Sequence, residues 1–346
     1  MRSKLGYVSR VRVFLTHNTE DREAYYGRAL PELEALPDVE VTTNPHDRDL
    51  STPELIEAAA GHHVIIAHRS TPGEKALFDN SPDLVAFLRC AVDISTVDVD
   101  AATDQGVLVA RADKSFVPST AEIALGLLLS VCRGIAESTV DYRAGDEPPQ
   151  RPGRQLRGQT AGIIGYGAIG SHLADLLLAI GMHVAVTDPE KTVEHPDITQ
   201  TDLAALLAGA DVVFPLAPAL PSTVDLIDAE ALAAMKPGAV LINVSRGELV
   251  DEAAVAAALD SGHLGGLGMD VGRAPDQRPS LELAGRPGVV ATPHLGGLTP
   301  ENADAQARSS VEQVAAMIDG ELPPRAVNPD AATRLRNLWS GQDEQR

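Results

Sequence analysis

The 346-residue sequence is short of cysteine, of basic residues and of long apolar runs, and each shortage excludes something. Its two cysteines, Cys90 and Cys132, cannot build a disulfide framework, and neither stands in a Cys-x-x-Cys ligand spacing, so a reducing compartment fits. Lys and Arg number 28 against 49 Asp and Glu, a net charge of -21. Without clustered basic residues to displace phosphate counterions, no nucleic-acid partner is expected. No apolar run approaches the roughly 18 residues of a membrane span, and the start MRSKLGYVSR lacks the apolar stretch of a secretion signal. No membrane partner is expected, and the cytoplasm is the expected location. Nor is a metal site: His62 and His63 are adjacent in an apolar stretch with no third ligand at a useful spacing.

What is present is enough for two folded domains. A hydrophobic fraction of 44% with 22% charged residues supplies two cores, and the cleft between two domains is the first place to look for a ligand. From Val11 the run VRVFL reads as a strand, a helical stretch follows from Tyr25 to Leu36, and VEVTT reads as the next strand. PELIEAAAG continues as a helix, HVIIAH as a buried strand, and LVAFLRCAV holds another strand. Alternation of this kind predicts a parallel sheet covered by helices on both faces.

Near residue 113 the rhythm changes. SFVPSTAEIALGLLLSVCRGIAESTVDYRAG reads as one long helix, with Ser119 or Thr120 as the capping group ahead of Glu122. DEPPQRPGRQLRG follows as a surface loop. A second α/β run begins at TAGIIGYGAIG and continues through HVAVTD, DVVFPL, AVLINVS, GLGMDV and GVVATP. A helix is expected from about Glu301 to Asp319, long enough to return to the first domain, and the tail after Asn328 carries Trp339 and either docks or frays.

The sharpest local signal is GYGAIG, with Gly165, Gly167, Ala168, Ile169 and Gly170 between the apolar strand AGII and a helical stretch. The first glycine permits a tight turn, the second lets backbone approach a pyrophosphate, and the third lets helix pack on strand. The helix N-terminus offers its free N–H groups to the phosphates. Asp188 ends the next strand 18 residues beyond Gly170, where a carboxylate accepts from ribose hydroxyls. It would repel a 2′-phosphate, with only Lys191 nearby to offset it, so NAD is favoured over NADP.

Several stretches together resemble the D-isomer-specific 2-hydroxyacid dehydrogenase family, which includes phosphoglycerate, glycerate, lactate and formate dehydrogenases. They are STAEIALGLLL, GIIGYGAIG, MKPGAVLINVSRGELVDEAAVAAAL, GMDV and TPHLGG, and they run along nearly the whole chain. The resemblance implies two Rossmann-like parallel-sheet α/β domains: a flavodoxin-like substrate domain from residues 1–112 and 300–346, and an inserted NAD-binding domain from 113–299. It places the family's acid–base histidine at His294, in P-H-x-G. An imidazole there can give a proton to a developing alkoxide and take it back near neutral pH. It places at Arg246 the guanidinium that holds the substrate carboxylate and polarises the carbonyl. Thr120, Ile169, Pro218, Ser245 and Asp270 fall at positions that line the family's NAD cleft, with Asp270 toward the nicotinamide carboxamide. Arg69 and Ser70 match a substrate-domain loop and either hold an acid group or form a surface ion pair. A homodimer is the family's expectation.

The sequence departs from the family in three places. The glutamate that orients the histidine is replaced by Pro275; the adjacent Asp276 either takes that role or is a turn former. Where many relatives carry a glycine-rich loop whose amides bind the substrate carboxylate, Ala91 and Asp93 replace small residues; the backbone N–H groups of Ala91, Val92 and Asp93 can still bind the acid, but Asp93 would oppose a second anionic group if it faced the cleft. Leu216 stands where many relatives have histidine. The function implied is hydride transfer between NAD(H) and a small 2-hydroxy or 2-oxo acid; the alternative is an NAD-binding sensor, like a corepressor, that turns over weakly or not at all.

Overall fold

The computed structural model describes residues 10–274 and 276–340; the first nine residues, read above for a secretion signal, together with Pro275 and the last six, lie outside that range. The chain divides into two compact units, an outer one that runs to Ser115 and resumes at Pro300, and an inner one from Phe116 to Thr299.

The outer unit is built on five strands: β1 (Val11–Leu15), β2 (Val39–Thr43), β3 (Val64–Ala67), β4 (Ala86–Arg89) and β5 (Leu108–Arg111). All pair in parallel, in the order β2-β1-β3-β4-β5. β3 and β4 are buried along their whole length, as strands covered on both faces must be. The helix Pro300–Ile318 returns to this unit, setting Val311, Val314, Met317 and Ile318 into one core with Val11, Leu15, Ile66 and Leu88. The tail docks: Trp339 donates its indole N–H to the Met317 carbonyl at 2.9 Å. The helix expected from Tyr25 to Leu36 is instead a π-helical turn, Arg22–Tyr26, and a short α-helix, Leu30–Glu34, with Pro31 in its first turn.

The inner unit has seven strands: β6 (Thr160–Ile164), β7 (His183–Thr187), β8 (Ile198–Gln200), β9 (Val212–Pro215), β10 (Ala239–Asn243), β11 (Leu264–Met269) and β12 (Val289–Ala291). Their order is β12-β11-β10-β9-β6-β7-β8, again all parallel. The chain leaves β6 toward β7 and β8, then crosses to β9 on the other side. This reversal beside β6 is the switch point at which open α/β sheets bind ligands.

The long helix expected after residue 113 is two helices, Val117–Arg133 and Ile135–Ala144, bent by 68° where Gly134 adopts φ +61°. Its start is also earlier than the Ser119 or Thr120 cap suggests. Pro118, which has no N–H to satisfy and a preset φ, sits in the first turn, and the Ser119 hydroxyl donates back to the Phe116 carbonyl at 3.0 Å. Among the described residues no single helix is long and apolar enough to cross a membrane.

Candidate active site

The turn leaving β6 is shaped by steric exclusion. Gly165 has φ +101°, and a Cβ there would stand 2.9 Å from the Leu216 carbonyl group. A Cβ on Gly170 would fall 2.2 Å from the Gly165 carbonyl oxygen. Gly167 differs from both: a Cβ added to it meets no atom within 4 Å, so its backbone faces open space. Gly167 is also the N-cap of the helix Ala168–Ala179 and offers no side chain to cap it, which leaves the first N–H groups and the positive end of the dipole at that space. Ala168 is exposed and Ile169 half-buried beside it. Asp188, one residue past β7, accepts from the backbone N–H of Tyr166 at 2.7 Å, of Glu190 at 2.8 Å and of Lys191 at 3.0 Å. Its carboxylate is thereby held against the glycine turn, and Oδ2, which accepts one N–H where Oδ1 accepts two, keeps a lone pair for a sugar hydroxyl. Lys191 donates its ammonium to the Tyr166 carbonyl at 3.0 Å. A glycine cradle open to an anion, a bare helix N-terminus and a fixed carboxylate beyond the second strand fit a dinucleotide with a free 2′-hydroxyl.

The other sheet ends complete the site. After β9, Leu216 is half-buried and Ala217 accepts the Ser245 hydroxyl at 3.1 Å, while the Pro218 carbonyl accepts from Thr223 at 2.7 Å. After β10, the buried Asn243 shapes the loop from within. Its amide donates to the Arg246 carbonyl at 2.9 Å and its oxygen accepts the Ser245 N–H at 3.1 Å, and the exposed Arg246 guanidinium donates to the Ser245 carbonyl at 2.8 Å. After β11, Asp270 is 1% exposed. It accepts the Thr292 hydroxyl at 2.6 Å and the N–H groups of Leu295 and Gly296, both at 2.7 Å. Between those anchors His294 is held at φ +62°, a left-handed backbone unusual for any residue but glycine, with its N–H on the Thr292 carbonyl at 3.0 Å. The buried Thr120 lies against Gly296, 3.4 Å from where a Cβ would stand. Asp270, matched by resemblance to a nicotinamide contact, thus also builds the loop that carries His294.

Asp276 is not brought to His294. Its carboxylate is exposed and pairs with Arg278 of its own loop, accepting the Arg278 N–H at 3.2 Å and meeting its guanidinium at 3.2 Å. The loop is pinned there by close packing. Gly272 donates to the Gln277 carbonyl at 2.9 Å, a Cβ on Gly247 would overlap the Gly272 carbonyl carbon at 2.1 Å, and Gln277 reaches Glu248 at 3.1 Å. Arg273 binds the Val250 and Glu248 carbonyls and the Asp225 carboxylate. Among the described residues the His294 ring makes no hydrogen bond. Glu248, not singled out from sequence, has its carboxyl held below the ordinary value by its own N–H and the Gln277 amide, then by Arg246 and Arg273. Asn243 and Thr292 were likewise unsignalled, although both sit inside motifs quoted above.

In the outer unit, Arg69 and Ser70 are exposed in the loop after β3, and Ser70 donates to Asp49 at 2.6 Å. Ala91 and Val92 are half-buried after β4, and the exposed Asp93 accepts the Ser95 N–H at 2.9 Å.

These features define the inner unit as a doubly wound dinucleotide-binding domain. Residues 125–296 match the family model described as D-isomer specific 2-hydroxyacid dehydrogenase, NAD binding domain. Among similar proteins, D-3-phosphoglycerate dehydrogenase of Mycobacterium leprae is 38% identical over 283 residues, 80% of this chain and 53% of that one. (S)-sulfolactate dehydrogenase of Chromohalobacter salexigens is 36% identical over 269 residues, 75% of this chain and 86% of that one. The solved structure of D-lactate dehydrogenase with NAD+ from Lactobacillus jensenii shares the fold, with a TM-score of 0.80 at 24% identity, covering 91% of this chain and 99% of that one. The chain belongs to the D-isomer specific 2-hydroxyacid dehydrogenase family, and its inner unit is the family's NAD-binding domain. It spans about half the length of the phosphoglycerate dehydrogenases it matches, 53% of the Mycobacterium leprae protein.

Proposed function

We propose that the chain is an NAD-dependent oxidoreductase that reduces a small 2-oxo acid to the 2-hydroxy acid, and the reverse. The observation that carries this reading is the grouping of His294, Arg246 and the open Gly167 turn at the carboxyl ends of strands in one sheet. NADH, when bound, supplies the hydride to the substrate carbonyl carbon. Arg246 grips the substrate carboxylate and draws charge from the carbonyl oxygen, work that suits a planar guanidinium. His294 delivers the proton that the forming alkoxide takes, and in the oxidative direction accepts it. Pro218, Ser245, Thr120, Ile169 and Asp270 shape the cofactor side. Arg69, Ser70 and the amides of Ala91, Val92 and Asp93 contribute the outer unit's hold on the acid. With Asp276 tied to Arg278, the proton transfer is assigned to His294 without a carboxylate partner.

The outer unit serves as the substrate domain. We further propose a cytoplasmic homodimer with no nucleic-acid or membrane partner. Support for the dimer comes from Ile135 and Tyr142, seven residues apart and so on one face of the helix Ile135–Ala144, exposed by 52% and 67%. Tyr142→Asp should shift the mass measured by light scattering from dimer toward monomer.

The enzymatic reading is tested by NADH oxidation, followed by ultraviolet absorbance, against glyoxylate, hydroxypyruvate, pyruvate, 2-oxoglutarate and longer 2-oxo acids. Turnover on at least one acid that His294→Ala abolishes supports it. Tight NADH binding with no turnover on any of them overturns it in favour of an NAD sensor.

A further inference from the structure

A second cluster of chemically capable side chains stands at the carboxyl edge of the outer sheet, supplied by three separate strand ends. The chain after β1 carries His17, Asn18 and Asp21; the chain after β2 carries Asp49; the chain after β3 carries His68 and Ser70. One ring nitrogen of His68 and one carboxylate oxygen each from Asp21 and Asp49 all lie within 4.8 Å of one another. His68 Nδ1 is 3.7 Å from Asp21 Oδ2. The Asn18 amide gathers the two acids, donating to Asp21 at 2.7 Å and to Asp49 at 3.4 Å. The Ser70 hydroxyl joins the other two, donating to Asp49 at 2.6 Å and lying 2.8 Å from His68 Nδ1.

Two carboxylates held this close repel unless a positive charge joins them. The neighbouring arginines do not take that part. Arg89 donates to the His68 and Arg69 carbonyls at 2.6 and 2.8 Å and to Thr96 at 2.8 Å, and Arg22 donates to the Asn44 carbonyl at 3.2 Å. Among the described residues no Lys or Arg is ion-paired to Asp21 or Asp49.

An independent observation points to the same place. His17 is 1% exposed, its ring lies edge-on to that of His68 with centroids 4.9 Å apart, and its Nδ1 has no hydrogen-bond partner among the described residues. A buried nitrogen left without a partner is costly, and this one belongs to a ring packed against that of His68.

We propose that His68, Asp21 and Asp49 form a binding site for one divalent cation of the Zn2+ or Mn2+ class. One imidazole nitrogen and two carboxylate oxygens are donors that such borderline ions prefer, and two negative charges offset the dication. Asn18 holds both carboxylates through its amide, as outer partners of metal ligands do. Ligand atoms around one ion stand about 2.0–2.2 Å from it, closer together than here, so binding draws the three strand ends inward. The ion is a clamp across β1, β2 and β3.

The test uses the full chain, stripped of metal with chelator and then titrated with Zn2+ alone by calorimetry. One ion per chain is expected, with a rise in melting temperature. Both should be lost, or the affinity should fall at least tenfold, in the double variant Asp21→Asn, Asp49→Asn. Binding to the double variant as tight as to the parent overturns the proposal, as does no binding to the parent. Because the double variant could fold poorly, anomalous scattering from a Zn2+-soaked crystal of the parent decides separately. A peak within ligand distance of His68, Asp21 and Asp49 supports the site, and peaks at other histidines alone, or none, overturn it.

Discussion

The carboxylate of Asp270 accepts the Leu295 N–H at 2.7 Å, one peptide beyond His294. With the Gly296 N–H and the Thr292 hydroxyl on the same carboxylate, one buried acid holds both flanks of the proposed acid–base residue. Asp270→Ala leaves three donors without their acceptor, and a buried unmet donor costs about 1–3 kcal/mol. Allowing water to reach some of them, a loss of about 2–4 kcal/mol is expected in urea denaturation. Turnover should fall at least tenfold because the loop no longer presents His294. A variant as stable and as active as the parent would show that the clamp is incidental.

His294 itself is expected to trade stability for placement. Its left-handed backbone costs a non-glycine residue about 1–2 kcal/mol, and glycine relieves that strain while giving back about 0.5–1 kcal/mol in unfolded-chain entropy. His294→Gly should therefore melt at or above the temperature of His294→Ala, with turnover lost in both. A glycine variant that melts well below the alanine one would mean that the φ of +62° imposes no strain.

The three glycines of the turn should separate folding from cofactor binding. Gly170→Ala forces a Cβ to 2.2 Å from the Gly165 carbonyl, a rigid backbone atom, so the variant should be poorly folded or markedly less stable. Gly167→Ala meets no protein atom and should melt like the parent. Its methyl occupies the open space in front of the helix N-terminus, and NADH binding, measured by fluorescence titration, should weaken at least tenfold. Unchanged NADH affinity in Gly167→Ala would move the pyrophosphate elsewhere.

Much of this was legible in the chain because apolar runs such as HVIIAH and AVLINVS are long enough to carry a period, and GYGAIG binds a turn to a strand before it and a helix after it. The places that escaped are those where the deciding term is not local. β8, three residues long, has too little pattern to read. The single long helix after residue 113 looked continuous because Gly134 interrupts no apolar stripe, only the backbone. Asp270 acts through hydrogen bonds to Thr292, Leu295 and Gly296, a segment that folding brings to it, whereas Asn243 braces only its own loop, where nothing in the motif marks it out. The Asp21, Asp49 and His68 cluster has no spacing to recognise, since each residue comes from a different strand end.

Asp276 is where motif and packing pull apart. The resemblance makes it the nearest acid to the missing glutamate, but the Gly272–Gln277 hydrogen bond and the packing of Gly247 on Gly272 hold the loop so that its carboxylate faces Arg278. Both partners are more than half exposed, at 57% and 62% of their side chains, so the pair contributes little to stability. Asp276→Asn is thus expected to change stability by less than about 1 kcal/mol. It should also leave the pH dependence of turnover where the parent has it, because no carboxylate–imidazole bond is removed. A pH profile displaced toward acid, with the proton lost from the histidine at lower pH, would mean that the loop opens during turnover and delivers Asp276 to His294. In that case Arg278→Ala, which frees the carboxylate, should raise turnover, and its failure to do so would leave the displacement to a change in the site's overall charge.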